Sequence, residues 1–167
     1  MDQVVIDYDP QWPRTFEALS ATIWPAVRDI ALRIEHVGST SVPGLAAKPI
    51  IDMDVVVARV CDVAAAVAAI ESLGYENLGG LGIPERVALL EPQGMPQHHL
   101  YVVWEGNAAH RNHTYFRDYL RRHPDDCERY AARKREVQHL YLTSREDYTV
   151  AKGDIVTDIL DKAYAER

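Results

Sequence analysis

Two aspartates, Asp52 and Asp54, stand two residues apart inside the apolar run from Ile50 to Val57. If that run is a strand, both carboxylates share one face about 6.6 Å apart along the chain, and they can converge on one hard cation such as Mg²⁺. The plainer alternative is a pair of acids facing water at a strand end. The apolar flanks weigh against it, because unpaired carboxylates are costly to bury. Upstream lies a polar turn, Gly38-Ser39-Thr40-Ser41. A glycine there lets backbone and ligand approach closely, and a hydroxyl beside free N–H groups suits phosphate oxygens. By itself such a turn is also an ordinary link between strand and helix.

Several cations could face a phosphate. Lys48 precedes Pro49, Lys134 follows Tyr130 by four residues, and Arg117 and Arg121 with His113 form a basic helix face. Lys152 shares a helical stripe with Tyr148, Ile155, Val156 and Ile159, so it either snorkels to solvent or reaches into a cleft. The bland reading of Lys48 and of the arginines is solvated surface. His36 reads as a hydrogen-bonded core histidine. His110 and His113 are three apart, which without a third ligand is a weak zinc signal.

The elements that must position these groups are legible from periodicity. Asp9-Pro10 opens a helix running to about Asp29, with Trp12, Phe16, Leu19, Ile23 and Val27 on its apolar face and Pro25 near its end. Leu32 to Val37 reads as a strand ending at Gly38, and Pro43 to Ala47 as a short helix. Ile50 to Val57 reads as a central strand covered on both faces. Asp62 to Leu73 is an alanine-rich helix ended by Gly74, and Asn77 to Pro84 is a glycine-rich loop. Arg86 to Leu90 and His99 to Val103 form two strands joined by a turn-rich link. Helices are expected near 107–122, 125–140 and 145–164, the last capped by Ser144.

At 167 residues the chain is the size of one domain, an α/β core over 1–106 followed by helices over 107–167. Its net charge of −7 argues against nucleic-acid binding by bulk electrostatics. The charge is uneven: residues 107–139 carry 8 basic and 5 acidic side chains, whereas 1–106 carry 6 and 14. Cys61 and Cys127 are far apart and read as reduced thiols. The N-terminus lacks a basic, apolar leader and no run approaches membrane-spanning length, so a cytoplasmic location with no membrane partner is expected.

Glycine-serine followed by a strand-borne Asp-x-Asp resembles the nucleotidyltransferase superfamily, the polymerase-beta-like fold. The block Ile34-Glu35-His36-Val37-Gly38-Ser39-Thr40-Ser41-Val42-Pro43-Gly44-Leu45-Ala46-Ala47-Lys48-Pro49-Ile50-Ile51-Asp52 resembles the signature of the GrpB-like family. The likeness continues in Trp12-Pro13, His98 to Val103, Phe116 to Arg121, Tyr130 with Lys134, and Tyr148 with Lys152, so it spans almost the whole chain. It implies an α/β (α+β) fold: a nucleotidyltransferase-like mixed sheet with flanking helices and a C-terminal helical segment.

By position, the resemblance implies that Gly38 and Ser39 place phosphates and that Asp52 and Asp54 hold Mg²⁺ as catalytic acids; Thr40 and Ser41 of the same turn are also expected to bind the nucleotide. It implies that Lys48, Arg117, Lys134 and Lys152 clamp a triphosphate. Active members add a third carboxylate on a later strand. Here that strand begins His98-His99-Leu100-Tyr101 and carries no acid. His99 is the best match to the missing position, with Tyr101 on its face and His98 on the other. An imidazole can serve as a base but is a poor Mg²⁺ ligand. Some relatives are fused to dephospho-CoA kinase. The function implied is binding of a nucleoside triphosphate with Mg²⁺ and transfer of a nucleotidyl group to a small hydroxyl or amine acceptor. The alternative is a nucleotide- or coenzyme-binding accessory module that keeps the fold without turnover.

Overall fold

A strand with no exposed side chain over its last five residues organises the molecule. β2 (Ile51–Val57) lies between β1 (Ala31–Val37), antiparallel to it, and β5 (His98–Trp104), parallel to it. β4 (Val87–Leu90) and β3 (Glu76–Gly79) extend the sheet antiparallel beyond β5, giving the order β1-β2-β5-β4-β3. The structure is a computed structural model that describes residues 4–167. Met1, Asp2 and Gln3, which open the segment read above as free of a leader, lie outside the described residues.

Strand alternation sends β2 side chains to two different layers. Ile51, Met53, Val55 and Val57 pack with Leu100 and Val102 against α1 (Trp12–Val27) and α2 (Val63–Glu71), chiefly through Trp12, Leu19, Ile23 and Ile70. Asp52, Asp54 and Val56 point the other way, beneath the C-terminal helices. These are α3 (Ala108–Arg122), α4 (Pro124–Tyr141), α5 (Arg145–Ala151) and α6 (Gly153–Ala165). A second apolar cluster, including Tyr119, Leu120, Tyr130 and Ile159, binds α3, α4 and α6 to the Val42–Ala46 segment. No helix among the described residues is long and apolar enough to cross a membrane. Cys61 and Cys127 are both free.

Four local expectations need correction. The helix expected at Pro43–Ala47 is absent; a single 3-10 turn, Ser39–Ser41, stands earlier, and Gly44 at φ +82° breaks any continuation. The loop expected over 77–84 contains part of β3, an edge strand whose four residues are all exposed and so carry no apolar alternation to read. The helix expected over 145–164 is two helices meeting at Lys152. The first helix starts at Trp12, with the Asp9 carboxylate accepting from the Gln11 N–H at 2.8 Å. Ser144 caps α5 as expected, accepting from Asp147 N–H at 3.1 Å.

Leu100 has no exposed surface where β5 meets both α2 and its flanking strands. Leu100→Ala is expected to lose about 2–5 kcal/mol in urea denaturation. Leu32→Ala, at a position 51% exposed, is expected to stay within about 0.5 kcal/mol.

Candidate functional site

The mouth of the site is set by three residues on three neighbouring segments. Gly38 leaves β1 at φ +70°, and its backbone presses against Asp52 so closely that an added Cβ would collide with Oδ2 and lie 2.8 Å from the carboxylate carbon. Parallel pairing places His99 of β5 directly beside Asp52, and its Nδ1 hydrogen-bonds Asp52 Oδ1 at 2.7 Å. His98 points to the opposite face as expected, buried between the Tyr75 hydroxyl at 2.8 Å and the Pro96 carbonyl at 2.7 Å. Gly38, Asp52 and His99 form one wall of a cleft of about 310 Å³, within the range of small-molecule sites.

Asp54 does not share this opening. It follows Asp52 on the same strand face, but it is fully buried. His110 Nδ1 lies 3.0 Å from its Oδ2, and His113 Nδ1 lies 2.9 and 3.0 Å from its two oxygens. Burial alone would raise the Asp54 pKa; the two imidazoles outweigh it and hold the carboxyl below its ordinary value. Burial likewise opposes protonation of His113, and the Asp54 carboxylate outweighs it and raises the imidazole pKa. The two acids expected to hold Mg²⁺ are therefore engaged by different partners. Mg²⁺ requires several hard oxygen donors, whereas Asp54 is enclosed by two imidazoles and Asp52 is engaged by His99 and the Gly38 turn. Among the described residues, no group of three or more His, Cys, Asp or Glu has metal-holding geometry.

Opposite the Asp52 wall stand three lysines. Lys48 lies 3.9 Å from the Tyr141 ring centroid, Lys152 lies 4.2 Å from that of Tyr148, and Lys134 lies 4.4 Å from that of Tyr130. Lys134 is almost wholly buried, and its ammonium donates to the Ala46 carbonyl. Burial pushes Lys134 down to about 7, and the Lys152 charge adds to the effect. Burial together with Lys48 brings Lys152 down to about 8. Lys48 is also lowered by burial, with Asp52 opposing the shift. Among the described residues, none of the three has a carboxylate within ion-pair distance. The remaining lysine, Lys162, pairs with Asp126 and Asp158.

The other expected phosphate contacts divide. Ser39 and Thr40 line the cleft, and Thr40 Oγ1 lies 2.9 Å from His36 Nε2. His36 stacks on Phe16, and burial pulls its pKa down to about 4, so it is a neutral core histidine. The Ser41 hydroxyl donates to the Gly38 carbonyl at 2.6 Å, and Ser41 does not line the cleft. Arg117 does not line the cleft either. It is bound to Glu35 and Asp118, each at 2.8 Å, and to the His36 carbonyl. A basic residue on a helix face gives no sign of which acid will claim it. The pairing of His110 and His113 with Asp54 was not foreseen. Its signal lay in two histidines on one face of an amphipathic helix, facing a strand with an otherwise unpaired buried acid.

The mixed sheet, the turn after β1 and the Asp-bearing central strand define a nucleotidyltransferase-like fold. It is shared at the level of fold with Cid1 in complex with its short product ApU. That similarity has a TM-score of 0.50 and 14% identity, covering 77% of this chain and 43% of Cid1. The family model described as GrpB protein matches residues 3–162, and the chain belongs to the GrpB family. The crystal structure of conserved protein GrpB from Enterococcus faecalis superposes with a TM-score of 0.81 at 32% identity, covering 96% of this chain and 99% of that one. A UPF0157 protein of Pseudomonas aeruginosa is 40% identical over 171 residues, 96% of this chain and 67% of its own length.

Gly38→Ala meets both a left-handed φ and a blocked Cβ position. It is expected to lower stability by about 1–3 kcal/mol and to displace the Asp52 carboxylate from His99. Thermal unfolding and the His99 side-chain NMR shifts read the two effects.

Proposed function

We propose that the cleft binds a nucleoside triphosphate whose phosphates are neutralised by Lys48, Lys134 and Lys152 and positioned by the Ser39 turn. The observation that carries this reading is that three of the chain's four lysines converge on one cleft, with no paired carboxylate among the described residues. An ammonium group that has lost water and gained no counter-ion is held at a cost to stability, and an anionic ligand repays it. Lysine suits this task as a compact, strongly hydrated point charge whose pKa responds to burial. The nucleotidyltransferase-like fold supports a nucleotide as the phosphate carrier.

Mg²⁺ is not needed for this binding, because the cations are already part of the chain. The same site serves an accessory module as well as an enzyme; turnover needs a further group. The charge of the ligand also sets a pH dependence. Lys134 and Lys152 are protonated below about 7 and 8, so anion affinity is expected to fall as pH rises through that window.

Isothermal titration with each of the four ribonucleoside triphosphates, in Mg²⁺ and again in EDTA, tests the proposal. At least one is expected to bind at pH 7 with an affinity that survives EDTA and falls at pH 9. Lys134→Met is expected to weaken binding at least about tenfold while raising the stability of the ligand-free protein by about 1 kcal/mol at pH 6. That stability advantage should shrink between pH 7 and 10, because over that range the unfolded chain still holds a proton that native Lys134 has released. Binding lost in EDTA, or no binding of any triphosphate, overturns the reading.

A further inference from the structure

We propose that His99 and Asp52 form a general-base dyad that activates a water molecule or small hydroxyl against the lysine-held phosphate, without a metal ion. The proposal rests on the nucleotide reading and takes the misfit to Mg²⁺ as its starting point. Asp54, the residue a metal pair would require, is enclosed by His110 and His113. Asp52 is thereby left to do something else, and what it contacts is an imidazole.

The geometry orients that imidazole. Asp52 Oδ1 meets His99 Nδ1 at 2.7 Å, and the Gly38 backbone against Oδ2 leaves the carboxylate no room to turn away. A carboxylate only accepts, so Nδ1 carries a proton, and in the neutral ring the lone pair is then on Nε2. Among the described residues Nε2 has no hydrogen-bond partner, and the ring is 35% exposed where it lines the cleft. This is the arrangement of a base held in one tautomer by a third group, facing the cations that would bind the electrophile.

The step balances without any further reactant. The acceptor oxygen bonds to the α-phosphorus as its proton passes to His99 Nε2. The bond from the α-phosphorus to the bridging oxygen breaks, and its electron pair leaves on pyrophosphate, whose charge the lysines hold. With water as acceptor the products are nucleoside monophosphate and pyrophosphate, and the proton on His99 returns to solvent.

The test uses the full chain with each ribonucleoside triphosphate in EDTA and ¹⁸O-labelled water. The expected result is pyrophosphate and a monophosphate carrying one ¹⁸O, read by mass spectrometry. His99→Gln is expected to lower the rate at least about 100-fold with binding unchanged. Asp52→Asn, a change at a positioning residue, is expected to lower it by up to about 10⁴-fold and to convert His99 from the Nδ1–H form to mixed tautomers in ¹⁵N spectra. A triphosphate that binds without yielding product, or product formation indifferent to His99→Gln, overturns the dyad. Failure of every triphosphate to bind overturns the nucleotide reading and the dyad with it. Should the variants not fold, a wild-type ¹⁵N spectrum showing His99 unprotonated at Nδ1 is enough to overturn the proposal.

Discussion

Asp54 has no exposed surface, and a carboxylate in that state must find hydrogen-bond partners where it sits. His110 and His113 fill that role from consecutive turns of α3, and their two contacts clasp that helix to the sheet. The rest of the functional half depends on where α3 is held. α4 and α6 pack on it through Tyr119, Leu120, Tyr130 and Ile159, and those helices carry Lys134 and the junction at Lys152 over the Asp52 face. A further network reinforces the placement. Arg117 of α3 binds Glu35 of β1, and Glu35 in turn binds Arg33 at 2.6 Å. Charges that look like ligand contacts along the sequence thus serve in part as the fastening between the two layers.

The cleft itself is a balance of opposite demands. One wall is an acid engaged by an imidazole and a glycine turn; the other is three ammonium groups partly stripped of water. Aromatic rings are the immediate neighbours of all three lysines, and a ring face stabilises a cation by about 0.5–2 kcal/mol, less than the hydration it displaces. The three ammonium groups thus stand against ring faces, with the Ala46 carbonyl accepting from Lys134, and among the described residues none of them is ion-paired. Asp126 shows the contrast. It is hydrogen-bonded by Tyr119 and paired with Arg129 and Lys162, its pKa falls to about 2, and it lies away from the cleft.

What was legible in the sequence follows from what alternation and spacing can express. The apolar run around Asp52 and Asp54 marks a central strand, and a two-residue period correctly places both acids on one face and His98 and His99 on opposite faces. Gly38 was readable as a close-approach position because only glycine fits a φ of +70° against a neighbouring side chain. Partnership between distant residues was not readable. Whether Asp54 meets a cation from solvent or two histidines on α3 depends on the crossing of a helix 56 residues away, and the same holds for Arg117 and Glu35. β3 escaped because an exposed edge strand is specified by its neighbour's backbone rather than by its own side chains. The break at Lys152 escaped because the apolar stripe continues across it.

Side-chain NMR of the lysines reads whether the cleft ammonium groups are desolvated and open to an anion. In the ligand-free protein, the Lys134 and Lys152 signals should titrate near pH 7 and 8, well apart from Lys162, and adding inorganic tripolyphosphate should move both midpoints upward. Lysines that all titrate together near the ordinary value of about 10.5, unmoved by tripolyphosphate, would mean that the cleft holds no desolvated cations.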